Sequence, residues 1–136
     1  MALRNWGFWA ANTTCTLLLN RDLEKIKVKL NFDALGSGSG SSVFGSSELT
    51  VLFKTTQSEA GEEVAVTRGI SGGTSDFASF QNSGVPFLMF YGDDLTRIHL
   101  DRYTIEFVQP ELLESAMAAA VALLQSPEFA EFVDLE

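Results

Sequence analysis

Residues 85–91, Val-Pro-Phe-Leu-Met-Phe-Tyr, are almost continuously apolar. A strand with one wet face alternates apolar and polar positions, so a run without alternation reads as a strand covered on both faces. That one segment requires a sheet with apolar layers above and below it. A different pattern lies upstream: Ile26, Val28, Leu30, Phe32 and Ala34 alternate with Lys27, Lys29, Asn31 and Asp33, the period of a strand with one buried face. Asp33 then sits near the C-terminal end of that strand. Residues 49–53 and 64–68 read as two more strands, with a helical turn or helix between them near residues 58–63. Thr74 or Ser75 is placed to cap a short helix running through Ser83, with Gly84 at its exit, where glycine takes a left-handed conformation without strain. Residues 36–42 are Gly and Ser only and predict a loop, flexible unless something holds it.

The C-terminal region predicts a long helix. Pro110 suits a first turn, and Leu112, Leu113, Ala116, Met117, Ala120, Val121 and Leu124 fall on one face, away from Glu111, Glu114 and Ser115. Strands alternating with helices imply an α/β layer architecture, in which ligands bind outside the C-terminal ends of the strands. Asp33 is at such an end, as is the loop carrying His99. A length of 136 residues is that of one domain, able to bury about two thirds of the surface its unfolded chain exposes.

Composition narrows the functions. Nine Lys and Arg against eighteen Asp and Glu give a net charge of −9, which disfavours nucleic acid and anionic membranes as partners. After Arg102 there is no further Lys or Arg, and the tail reads as an acidic, solvated helix face. Cys15 is the single cysteine, which excludes an intrachain disulfide framework and a cysteine-rich zinc module without fixing the compartment. His99 is the single histidine, so any imidazole chemistry made by this chain must use it. Residues 1–20 hold both tryptophans and a Leu17-Leu18-Leu19 run but show no clean periodicity. Asn12, Thr13 and Thr14 interrupt their apolar stretch and no small-x-small cleavage site follows, which reads against a secretory leader or a spanning helix.

Two constellations carry chemistry. Gly69-Ile70-Ser71-Gly72-Gly73 fits the G-x-S-x-G nucleophile elbow, with Ser71 as nucleophile, His99 as base and Asp93 or Asp94 as orienting acid. An acid only five or six residues before the histidine is unusual, and a plain Gly-rich turn explains the pattern as well. The second set is Asp33, Asp76, Asp93, Asp94 and His99, carboxylates and an imidazole that suit zinc. Glu62-Glu63 reads as a solvated turn. The Gly-rich run beginning at Gly36 lacks the Gly-Lys-Ser/Thr of a phosphate loop.

Three segments in order bear on the choice: Lys27-Val28-Lys29-Leu30-Asn31-Phe32-Asp33-Ala34-Leu35-Gly36, then Gly73-Thr74-Ser75-Asp76-Phe77 through Gly84-Val85-Pro86, then Ile98-His99 through Thr104-Ile105-Glu106. Together they resemble the C-terminal half of the zinc aminopeptidases of metallopeptidase family 28, over roughly residues 23–124. The resemblance implies a three-layer α/β sandwich with a mixed, mainly parallel sheet, truncated on its N-terminal side. It implies that Asp33 matches an aspartate ligand of one zinc, His99 a histidine ligand of the other, and Asp76 an aspartate that orients ligands without touching metal. In such enzymes the substrates are peptides, cleaved at the N-terminal bond. It divides the chain into an atypical segment, residues 1–22, and a partial zinc-peptidase-like domain, residues 23–136.

The departures are specific. The family's first histidine, bridging aspartate and adjacent glutamate pair all precede the strand ending in Asp33, whereas residues 1–23 here contain no histidine and no glutamate. Asp101 stands where a proline is usual, Tyr103 where an aspartate is usual, and Phe77 where many members have histidine. Two ligands assigned to different metals fix neither well, so the chain is expected to hold at most one zinc, weakly, and to be inactive alone. The favoured explanation is a fragment of a longer gene product. The alternative is a genuine short protein that acts as a non-catalytic binding module. In either case an uncovered sheet edge predicts marginal stability or self-association.

Overall fold

The computed structural model describes residues 20–61, 64–71, 75–96, 98, 100–101 and 104–135. Nine elements form its frame: α1 (Asn20–Leu23), β1 (Lys29–Asp33), β2 (Ser41–Gly45), α2 (Ser47–Ala60), β3 (Ala65–Val66), α3 (Phe77–Asn82), β4 (Phe87–Gly92), α4 (Pro110–Gln125) and α5 (Pro127–Leu135). A short 3-10 turn, Ile105–Phe107, precedes α4.

The unbroken apolar run becomes the central strand, and all six residues of β4 are buried. Its neighbours are β1, parallel and in register from Lys29↔Phe87 to Asp33↔Tyr91, and β2, antiparallel from Ser41↔Gly92 to Gly45↔Leu88. With β3 parallel to β2 the order is β1-β4-β2-β3. Successive side chains of β4 feed two separate cores, as the period of a strand requires. Leu88 and Phe90 join Val43, Leu49, Phe53, Ala119, Ala120, Leu123 and Phe129 on the face covered by α2, α4 and α5. Phe87, Met89 and Tyr91 join Phe44 and Phe77 on the face covered by α3. Helices on both faces of a mixed, mostly parallel sheet make the three-layer α/β sandwich expected from the sequence.

Five local expectations change. Residues 49–53 are helical, inside α2, rather than a strand. Leu49, Val51 and Phe53 alternate as a strand would, but the buried set Leu49, Phe53, Thr56 and Gln57 repeats at helical spacing, and Val51 is 66% exposed. Ser46 stands at the N-cap, where its carbonyl accepts the first helical bond from Thr50 at 2.9 Å while its hydroxyl accepts the Phe87 amide at 3.1 Å. The missing strand is instead β2, which begins within the Gly and Ser run read as loop. Hydrogen-bonding to β4 along its whole length supplies the order that composition did not.

In β1 the two faces are as the alternation placed them, but their burial is reversed near the end. Asn31 is 5% exposed and Phe32 47% exposed. Phe32 lies on the α2 and α4 side, stacked on Phe90 at 4.9 Å between ring centroids, while Asn31 points under α3 and donates to Met89 Sδ at 2.9 Å. In α3 the hydroxyl of Ser75 makes no cap; Asp76 occupies the N-cap position in helical conformation. Gly84 ends this region at φ +78° as expected. Finally, α4 starts at Pro110, but its buried face is Ala116, Ala119, Ala120 and Leu123. Met117, Val121 and Leu124, expected inside, are 61%, 45% and 50% exposed, because the alanine stripe lets α4 pack closely against α2 and turns the larger side chains outward.

Candidate functional site

Parallel pairing brings the C-terminal ends of β1 and β4 to one edge of the sheet, with Asp33 opposite Tyr91 and Asp93 just beyond Gly92. β2 is antiparallel to β4, so its first residue, Ser41, and the loop before it lie at the same edge. Asp33 is exposed there. Its Oδ2 accepts a hydrogen bond from Ser75 Oγ at 2.7 Å, and Asn31 Nδ2 reaches the same hydroxyl at 3.5 Å. Ser75 thus tethers the start of α3 to the end of β1, and Asn31 backs that tether from inside.

Asp76 follows immediately and is half-buried. Burial pushes its carboxyl above the ordinary value of 3.8, the cation of Lys29 opposes the rise, and the negative charge of Asp33 adds to it. Asp33 and Asp76 are therefore electrostatic neighbours. Lys29 sits with Nζ 5.4 Å from the centre of the Phe80 ring, a cation over an aromatic face.

The Gly and Ser loop is fastened rather than free. Asp93 Oδ1 accepts the Ser39 amide at 2.7 Å and Oδ2 accepts the Ser39 hydroxyl at 2.8 Å. The Asp93 amide donates to Gly40 O at 3.1 Å, and the Gln109 amide donates to Gly36 O at 2.9 Å. Gln109 Nε2 also donates to Gly38 O. The bonds from Ser39 hold the Asp93 carboxyl below its ordinary value of 3.8, against the smaller effects of burial and of the Asp94 charge. Asp94 Oδ1 accepts the Thr96 amide at 3.0 Å and the Thr96 hydroxyl at 2.5 Å. Ser71 is exposed, and β3, which leads toward it, runs antiparallel to β4 and so is directed at the opposite edge.

His99 lies outside the described residues, as do Glu62, Glu63, Gly72, Gly73, Thr74 and Tyr103. Among the described residues no group of three or more His, Cys, Asp or Glu is placed to hold a metal ion. Among the described residues Asp33 offers one carboxylate at this edge, its Oδ2 accepting from Ser75. No helix among the described residues is long and apolar enough to cross a membrane. Sequence reasoning located Asp33 and Asp76 at this edge. It missed the pairing of Ser75 with Asp33 and of Ser39 with Asp93, since both join residues more than forty positions apart; the hydroxyl beside Asp76 was the available signal for the first.

Comparison with known proteins gives the same architecture. The family model described as Peptidase family M28 matches residues 7–124, a span that begins within the segment set apart as atypical. BSAP, a zinc aminopeptidase from Bacillus subtilis, superposes with a TM-score of 0.74 at 22% identity, over 90% of this chain and 33% of that one. An aminopeptidase from Aneurinibacillus sp. strain AM-1 superposes with a TM-score of 0.69 at 18% identity, over 86% of this chain and 29% of that one. The chain spans about a third of the length of these enzymes. Comparison with curated proteins finds no match.

Proposed function

Because the chain belongs to peptidase family M28, we propose that it is a portion of an aminopeptidase catalytic domain whose metal-binding edge is incomplete and which does not hydrolyse peptides by itself. The observation that carries this reading is the state of Asp33. It stands at the C-terminal edge of two parallel strands, oriented by Ser75 and flanked by Asp76, yet no described residue completes a ligand set around it. The side chain suited to add one donor is His99, which follows β4 in the sequence. Asp33 and His99 together hold at most one zinc, weakly, given that catalytic zinc usually has three protein ligands.

Zinc, when bound at such an edge, supplies Lewis acidity to a carbonyl oxygen. This chain's own residues supply only orientation: Ser75 fixes one oxygen of Asp33, and Asp76 adds negative charge beside it. The glutamate pair that the resemblance places before the strand ending in Asp33 has no counterpart in residues 1–23, which contain no glutamate, and a base must stand within hydrogen-bond reach of the proton it takes. The substrate class of the complete catalytic domain is peptides with a free N-terminus. The serine hydrolase alternative draws no support from Asp93 and Asp94, whose carboxylates are given to Ser39 and Thr96. Nucleic acid and anionic membranes are not partners of so acidic a chain. Self-association through β1, the outer strand among the described residues, where Phe32 is half uncovered, is expected instead.

The test is release of an aminoacyl chromophore. Protein repurified to constant specific activity is expected to show no zinc-dependent turnover above a denatured control. Turnover that rises with zinc, survives repurification and falls in Asp33→Ala would overturn the proposal.

A further inference from the structure

We propose that Asp93 is the positioning residue of this edge: its carboxylate, through Ser39, clamps the loop of residues 36–40 onto the end of β4 and thereby holds the backbone leaving Asp33 in one conformation. This goes beyond the proposed function and rests on it only for the meaning of Asp33; the clamp itself stands on geometry.

A run of seven Gly and Ser residues has little intrinsic preference for one path, yet Gly36 and Ser37 are buried. Both oxygens of Asp93 are used on one residue, Ser39, through its amide and its hydroxyl, charge-assisted bonds of about twice the strength of neutral ones. The approach is so close that only glycine fits beside it. A Cβ on Gly38, itself at φ +90°, would lie 1.8 Å from Asp93 Oδ1. The path then runs back to Asp33 without slack. Ser37 Oγ donates to Ala34 O at 2.8 Å, Ala34 turns the chain at φ +48°, and Asp33 precedes it. Alanine at a left-handed φ is disfavoured, so this turn needs the support of the loop beyond it, of which the Ser37 bond is one part. Among the described residues Asp94 is the charged group facing Asp93, and its like charge works against the clamp.

The test is amide hydrogen exchange by NMR on the full chain, in wild type, Asp93→Ala and Asp93→Asn. Asp93→Ala removes both acceptors and is expected to lower protection of the Ser39 amide by about tenfold or more, the scale of a charge-assisted bond. The amides of β4 are expected to stay protected, which separates local release from unfolding. Asp93→Asn keeps one acceptor and is expected to retain part of the protection. In wild type the Ser39 protection is expected to fall as pH drops through the lowered pKa of Asp93, and this dependence should vanish in Asp93→Asn, a response that a packing role would not give. Unchanged Ser39 protection in Asp93→Ala, with β4 intact, overturns the clamp. A parallel zinc titration reads the metal assignment alone, so a chain that binds no zinc but loses Ser39 protection retains the clamp and loses the metal reading.

Discussion

Substitution within α2 discriminates sharply between two ways of reading the same residues. Leu49, Val51 and Phe53 share one face if the segment is a strand, whereas in the helix Phe53 is fully buried and Val51 is 66% exposed. Phe53 meets Phe90 edge-on at 5.4 Å in the larger core. Phe→Ala at such a site costs about 3–5 kcal/mol through lost transfer energy and the cavity left behind, with the aromatic pair contributing about 0.5–1.5 kcal/mol of it. Against a total stability of about 5–15 kcal/mol, Phe53→Ala removes a large fraction. For a domain of this length it lowers Tm by roughly 12–20 °C, at about 4 °C per kcal/mol. Val51→Ala, on the wet face of the same helix, costs less than about 0.5 kcal/mol and gains slightly in helix propensity. Urea titrations followed by far-UV circular dichroism, at protein concentrations low enough to keep the chain monomeric, measure both. Comparable losses at Val51 and Phe53 would refute the helix and restore the strand.

Other consequences follow from single contacts. Gln57 bonds both the amide of Val64, at 2.7 Å, and its carbonyl, at 3.2 Å, fastening the end of α2 to the start of β3, so Gln57→Leu is expected to cost about 1–3 kcal/mol by leaving two buried backbone groups unpaired. Asp33→Asn removes a like charge beside Asp76 and is expected to lower the pKa of Asp76, while Lys29→Met is expected to raise it; carboxyl carbon NMR titrations read both shifts directly. Because the folded-state pKa of Asp76 is raised, its contribution to stability is fully present below 3.8 and is lost as pH rises through the folded value. Asp76→Asn should therefore stabilise the chain at neutral pH, and denaturant midpoints at pH 3 and pH 7 check the sign. Sedimentation velocity is expected to show association that weakens when Phe32 is replaced by Lys; a monomer at all concentrations would contradict the exposed-edge reading.

The sequence was most informative where one physical cause dominated. Residues 85–91 announced a doubly covered strand because nothing polar interrupted them, and β4 proved to be the centre of the sheet. Asp33 was legible as a strand-end carboxylate from the alternation alone. Legibility failed where tertiary pairing decided. Ser41 and Ser42 belong to a buried strand only because β4 supplies its hydrogen bonds, and Asn31 is buried because α3 closes over it. In α4 both the alanine set and the Met117, Val121 and Leu124 set satisfy a helical period; which one faces inward depends on how closely α2 approaches. The site divides the same way. Asp33, Asp76 and Asp93 stood out by type and position, while the hydroxyls that engage Asp33 and Asp93, those of Ser75 and Ser39, come from more than forty residues away.

The proposal that the metal edge is incomplete is tested most directly by zinc calorimetry on metal-free chain, with Asp33→Ala and His99→Ala in parallel. The account predicts at most one zinc, bound weakly, with affinity reduced by either substitution. Two tightly bound zincs, or an affinity that His99→Ala leaves unchanged, would contradict it.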